Sequence, residues 1–148
     1  MFKSSSDLIS WDESFSTGIK LIDEQHKELV VLTNELFNAC RQGDNNIGPV
    51  FKDALSSMVD YVRFHFTAEL EILQRINYPG YLDHKKQHDD LIIKILSASK
   101  EYATGKKFTP NKFARTLRDW VFGHIAFYDK HYAAFIIEQK SKGLLTDI

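Results

Sequence analysis

Two pairs of potential metal ligands, each spaced four residues apart, stand on either side of a short turn in the sequence. The first pair is His65 and Glu69, and the second is His84 and His88. Residues four apart lie on one face of a helix, about one turn from each other. The intervening Tyr-Pro-Gly at 78–80 is a turn signal. Two antiparallel helices would therefore bring four ligands into one small volume, which makes a dinuclear metal site the leading hypothesis.

Apolar residues that recur in steps of three and four predict four amphipathic helices. The first is expected over about 19–41, the second from Pro49 in its first turn, and the third from 81 or 82 to about 103. The fourth should be capped by Thr109, take Pro110 as its first residue and reach about 138 or 139. Short connections favour an all-α, up-down-up-down antiparallel four-helix bundle. The expected organisation is an N-terminal arm over residues 1–18, the bundle over 19–140 and a C-terminal tail over 141–148.

Histidines occupy positions on these stripes where the pattern calls for apolar residues. With helices alternating in direction, they should come to one end of the bundle at similar heights. A single histidine on an apolar stripe is more often a hydrogen-bonded core residue than a ligand. Several at one level with a buried glutamate reverse that expectation, because satisfying them without metal would need many buried partners. The group comprises His26, His65, Glu69, His84, His88 and His124.

Asp129 is a further candidate, but its spacing does not fit a regular helix. It lies five residues after His124, which is about 140° around an ideal α-helix. A π-bulge between the two residues would bring Asp129 inside, and such bulges are frequent at functional sites. We therefore predict a bulge, an overlong turn or a bend there. The apolar stripe would then resume at Asp129, Tyr132 and Ile136 instead of continuing through Tyr128, His131 and Phe135. In a regular helix, Asp129 would reach in from the flank or would not be a ligand. We expect His131, two turns beyond His124 near the open end of the bundle, to lie at the surface or behind the ligands.

The set of donors narrows the choice of metal. Five imidazoles and two carboxylates exceed what one tetrahedral zinc needs. The chain contains no His-Glu-x-x-His and no Glu-x-x-His, which argues against a zinc protease and against a ferritin-like di-iron enzyme. A histidine-rich pair of irons bridged by two carboxylates fits this donor set best.

Composition excludes several other classes of function. The 148 residues carry a net charge of −1 with neutral histidines, so nothing indicates nucleic-acid or membrane binding through bulk charge. The single cysteine, Cys40, allows no intrachain disulfide. No stretch has the length and apolarity of a signal peptide or a membrane span. We expect a cytoplasmic protein.

Four segments carry recognisable motifs: Trp11…Phe15-Ser16-x-Gly18…Ile22-Asp23-x-Gln25-His26, His65-Phe66-x-x-Glu69, His84-x-x-x-His88 and Trp120-x-x-x-His124-Ile125-x-x-x-Asp129. Together these motifs resemble those of the hemerythrin family, close to the bacterial hemerythrins, over nearly the whole chain. The resemblance implies that His84, His88 and His124 hold one iron and that His26 and His65 hold the other. Glu69 and Asp129 would bridge the irons beside an oxo or hydroxo bridge, and O2 would bind at one open position near Trp120 and Val121. The family commonly has leucine where this chain has Val121.

The resemblance leaves three kinds of function open. The first is reversible O2 binding for carriage, storage or delivery. The second is sensing, in which O2 or the redox state alters the bundle and a signalling partner or fused output domain responds. The third, ranked last because no substrate pocket is evident beyond the metal site, is an enzyme that handles peroxide or nitric oxide. We expect a protein that is not an enzyme.

Overall fold

The computed structural model describes residues 9–40, 47–104 and 110–144. These residues form helices and connecting turns, and the described ranges contain no β-strand. The helices are α1 (Lys20–Cys40), α2 (Ile47–Arg75), α3 (Tyr81–Thr104), α4 (Pro110–Gly123), a π-helical segment (His124–Tyr128) and α5 (Asp129–Ser141). Since α4, the π-helical segment and α5 follow one another without a break, they form one long fourth helix. The predicted all-α four-helix bundle is confirmed.

The helix ends agree closely with the sequence pattern. Helix α1 begins and ends within one residue of the predicted bounds, α3 begins at Tyr81, and the fourth helix runs from Pro110 to Ser141. Helix α2 begins at Ile47, which places Pro49 in its first turn as predicted. The predicted Thr109 cap and the end of the C-terminal tail lie outside the described residues. None of the described helices combines the length and apolarity needed to cross a membrane.

The apolar core consists of two clusters. The larger includes Leu29, Val62, Phe66, Val121 and Ile125. The smaller one contains Ile19, Ile22, Ile72, Leu73, Ile76, Tyr132 and Ile136. Along three helices the candidate ligands fall between members of the two clusters: His26 between Ile22 and Leu29, Glu69 between Phe66 and Ile72, and Asp129 between Ile125 and Tyr132. The candidate ligands therefore form a polar layer with apolar side chains on both sides.

The segment before α1 packs on the outside of the bundle. Asn34 holds it through two hydrogen bonds to the backbone of Ile9, of 3.1 Å to its N–H and 2.8 Å to its carbonyl oxygen. Phe15, in the short 3₁₀ turn Glu13–Phe15, is buried and meets the Phe122 ring edge-on at 5.6 Å. Gly18 then adopts a φ of 81°, a conformation that glycine reaches without strain, and the chain enters α1. The arm expected from the sequence therefore lies against both α1 and α4 over its described part.

Candidate metal centre

The seven predicted ligands lie together in the interior of the bundle. Their exposed fractions are all between 0 and 3%. They form two overlapping groups, in each of which the ligand atoms lie within 4.8 Å of one another. The three-histidine group consists of His84, His88, His124 and Glu69, and the two-histidine group consists of His26, His65, Glu69 and Asp129.

Glu69 faces both groups with different oxygens. Its Oε1 lies 2.5 Å from His84 Nε2 and 2.9 Å from His88 Nε2. Its Oε2 lies 3.2 Å from His65 Nε2 and 3.4 Å from His26 Nε2. One carboxylate thus offers one oxygen to each group, which is the arrangement of a bridging ligand.

Asp129 repeats this division from the opposite side of the bundle. Its Oδ1 lies 2.9 Å from His124 Nε2 and 3.1 Å from His84 Nε2. Its Oδ2 lies 2.8 Å from His26 Nε2. Asp129 therefore also offers one oxygen to each group.

The predicted irregularity in the fourth helix lies between His124 and Asp129. Residues His124–Tyr128 form one π-helical turn, and the backbone N–H of Asp129 donates to the carbonyl oxygen of His124. The inserted residue shifts the buried stripe, so that Asp129, Tyr132 and Ile136 are buried while Tyr128 and His131 are exposed. The prediction of a bulge is confirmed, and the regular stripe through Tyr128 and His131 is wrong.

The buried ligands of the metal-free protein differ in the direction in which their pKa values are shifted. Burial favours neutral imidazole, but Asp129 and Glu69 outweigh it and raise the pKa of His26 to about 10. The same balance raises the pKa of His84 to about 9. For His88 burial prevails, since Glu69 compensates only in part and neighbouring histidines add repulsion, and its pKa falls to about 4. Burial would raise the pKa of Asp129, but His124 and His26 hold it well below its usual range.

The donor set fits a pair of metal ions. Nε2 of His26 and His65 and both oxygens of Asp129 lie within 2.8–3.2 Å of oppositely charged or polar partners, yet none of these contacts has hydrogen-bond geometry within the described residues. Buried polar atoms of this kind need a partner. Imidazole nitrogens and carboxylate oxygens that converge in a dry interior suit iron and related transition metals. Two ions, one in each group, would satisfy these atoms together.

Other buried side chains hold the predicted ligands in place through hydrogen bonds and ring stacking. Gln25 Oε1 lies 2.7 Å from His65 Nδ1, and the Tyr132 hydroxyl donates to Glu69 Oε2 at 3.0 Å. Phe66 stacks on the His88 ring with a centroid distance of 3.6 Å, and Trp120 stacks on His124 at 4.6 Å.

The roles of Gln25, Tyr132 and Phe66 around the ligands were not predicted from the sequence. Gln25 precedes a ligand within the quoted motif, and Tyr132 follows Asp129 by three residues on the shifted stripe. These positions indicated that both residues lie near the ligands, but spacing does not reveal which ligand atom each side chain contacts. Of the two residues expected near an O2 pocket, Trp120 lies against His124 and Val121 is buried in the larger apolar cluster.

Comparison with known proteins gives one consistent result. Residues 17–136 match the family model described as the hemerythrin HHE cation binding domain. The chain is 30% identical over 127 residues to a bacteriohemerythrin of Methylococcus capsulatus, covering 84% of this chain and 94% of that protein. It is 29% identical over 123 residues to a hemerythrin-like protein of Naegleria gruberi, covering 83% and 89%.

Solved structures agree with the sequence relatives. A wild-type hemerythrin crystal structure superimposes with a TM-score of 0.78 at 28% identity, covering 86% of this chain and 96% of that chain. The family model spans most of the chain, and the helical bundle is the one found in the hemerythrin structure. This chain belongs to the hemerythrin family.

Proposed function

We propose that this protein binds two iron ions between its four helices and binds O2 reversibly at that centre. The observation that carries the proposal is the division of oxygens in Glu69 and Asp129, each of which offers one oxygen to each histidine group. A site for one metal ion has no need of two such carboxylates. Membership of the hemerythrin family supports the same assignment.

In this proposal the two groups hold one iron each. His84, His88 and His124 would hold the first iron, and His26 and His65 would hold the second. Glu69 and Asp129 would each serve both irons, and an oxo or hydroxo group would complete the centre. The chemistry supplied by the irons when bound is reversible two-electron transfer to O2.

The side chains of this protein set where O2 can bind. One group offers three imidazoles and the other two, so the two-histidine group is one protein ligand short and leaves a position for O2. The apolar clusters on both sides of the ligands keep water and stray protons away from this position. No side chain is needed as a general acid or base.

Sensing is the second candidate function, and one contact favours it. Lys130, the residue after Asp129, donates from Nζ to the carbonyl oxygen of Ser16 at 2.7 Å. The N-terminal arm is thereby bonded to the segment that carries a proposed ligand, so a change at the metal centre can reach the surface. A long-lived O2 complex favours carriage, whereas rapid oxidation with a change in the arm favours sensing. Turnover of peroxide or nitric oxide would instead favour an enzyme.

The proposal is tested by visible spectra recorded after anaerobic reduction and again after O2 is readmitted. Wild-type protein should show a charge-transfer band that returns in each cycle. Glu69→Gln should lose the band, whereas Glu71→Gln, an exposed position on the same helix, should keep it. An iron-loaded wild-type protein with no O2-dependent band would contradict O2 binding.

A further inference from the structure

Gln25 is a buried polar residue with a specific partner in the metal centre. Its side chain is 4% exposed, and it lies on α1 directly before His26. Its Oε1 lies 2.7 Å from Nδ1 of His65, which belongs to α2. A buried amide oxygen at this distance has one chemically sensible partner, an N–H group.

The contact determines which nitrogen of His65 carries the proton. An amide oxygen only accepts hydrogen bonds, so Nδ1 of a neutral ring must be the protonated nitrogen. The lone pair then lies on Nε2. That atom faces Glu69 Oε2 at 3.2 Å, and a carboxylate oxygen is also an acceptor. Two acceptors that face each other across this distance repel unless a metal ion or a proton lies between them.

The other histidines are held differently. Within the described part of the chain, Nδ1 of His26, His88 and His124 has no hydrogen-bond partner. In the three-histidine group, Phe66 and Trp120 stack on the rings of His88 and His124 instead. Stacking restrains the plane of a ring but does not choose between its two nitrogens. Gln25 therefore gives His65 a restraint that those rings lack.

We propose that Gln25 is a positioning residue, which keeps the His65 proton on Nδ1 and so presents Nε2 to the metal in the two-histidine group. The inference rests on the proposed metal centre. Two acceptors compete for the proton in metal-free protein: Gln25 on the Nδ1 side and Glu69 on the Nε2 side. Without Gln25, the proton moves to Nε2, where it bonds Glu69 and blocks the ligand atom.

The test is ¹⁵N–¹H correlation NMR of metal-free protein labelled at histidine, recorded at about pH 8, where ordinary histidines are neutral. Wild-type His65 should carry its proton on Nδ1. Gln25→Leu should shift the ring to the Nε2-protonated form, and Gln25→Glu, which keeps an acceptor, should retain the wild-type form. Gln74→Leu, at an exposed position on α2, is the matched control and should change nothing.

Metal affinity gives a second readout. The affinity is measured by titration with Zn²⁺, which is diamagnetic and so also permits NMR spectra of the loaded protein. Loss of an outer partner of this kind typically weakens metal binding about 10–100-fold, so Gln25→Leu should show such a loss and Gln25→Glu should not. Wild-type His65 protonated on Nε2, alone or together with Nδ1, overturns the inference even if Gln25→Leu fails to fold. Nδ1 protonation in a protein that binds no iron would instead defeat the proposed function and leave the role of Gln25 intact.

Discussion

Asp129 follows His124 by five residues, yet its Oδ1 lies 2.9 Å from His124 Nε2. A regular α-helix would place the two residues about 140° apart. The π-helical turn over His124–Tyr128 closes that angle. One inserted residue thus converts a position on the flank of the helix into a proposed bridging ligand.

Replacing Asp129 by asparagine should uncouple the two proposed metal positions. The substitution keeps the shape of the side chain but removes a charge that raises the pKa of both His26 and His124 against the effect of burial in the metal-free protein. We expect the iron content of Asp129→Asn to fall below two per chain, measured by elemental analysis. Asp119→Asn changes an exposed carboxylate on the same long helix and should leave the iron content unchanged. Equal iron content in both variants would remove Asp129 from the ligand set.

Metal loading should release protons. In metal-free protein the pKa of His26 is about 10 and that of His84 about 9, so both rings are protonated at pH 7, whereas a bound metal needs neutral imidazole. We therefore expect about two protons released per chain at pH 7 from these rings, and fewer as the pH approaches 10. Calorimetry in buffers of different ionisation enthalpy counts them. Loading without proton release would contradict the charge state described here.

The same shifts predict how stability depends on pH. A histidine whose folded-state pKa lies above its unfolded value of about 6.5 contributes stability that is fully present below that value and is lost as the pH rises through the folded pKa. For His26 and His84 the loss falls between about pH 7 and pH 10. Metal-loaded protein has already given up these protons. The difference in Tm between loaded and metal-free protein should therefore widen over this range, and a constant difference would argue against the assignment.

Tyr132→Phe should lower the free energy of unfolding of the metal-free protein while the packing of the ring is retained. The hydroxyl of this fully buried residue donates to Glu69 Oε2 at 3.0 Å. Hydrogen bonds to charged groups contribute roughly 1.5–3 kcal/mol, so the free energy of unfolding of metal-free protein should fall by about that amount in denaturant titrations. Tyr128→Phe removes an exposed hydroxyl one turn earlier and should change little. If the two variants were equally stable, the Tyr132 contact would have no energetic role.

Val121→Leu tests the size of the proposed O2 pocket. Val121 is buried one turn before His124, and the smaller side chain at this position would leave more room for O2 and water. We expect Val121→Leu to slow autoxidation, followed by the decay of the O2-dependent absorption band. Val59→Leu, between α2 and α3, controls for overpacking, which typically costs about 1–3 kcal/mol. Faster or unchanged autoxidation in Val121→Leu would defeat the steric explanation.

The helices and their buried faces could be predicted because the spacing of apolar residues indicates both. The stripes that carry His26, His65 and His88 place these residues in the interior whatever their neighbours are. The irregularity at Asp129 could also be predicted, since a carboxylate five residues after His124 cannot share its face without an extra residue in the turn.

The contacts between the predicted ligands and the side chains that surround them could not be predicted in the same way. The hydrogen bond from Tyr132 to Glu69 and the contact of Gln25 with His65 each join two different helices. Such contacts depend on the rotation of one helix against another, and single-sequence periodicity carries no information about that rotation. The same limit explains why the stacking of Phe66 on His88 was not anticipated.

The most direct test of the central claim is anomalous diffraction at the iron edge from crystals of iron-loaded protein. Two iron peaks per chain are expected, one beside His84, His88 and His124 and the other beside His26 and His65. Glu69 and Asp129 should each contact both irons. A single peak, or two peaks that do not share these carboxylates, would contradict the bridged di-iron centre.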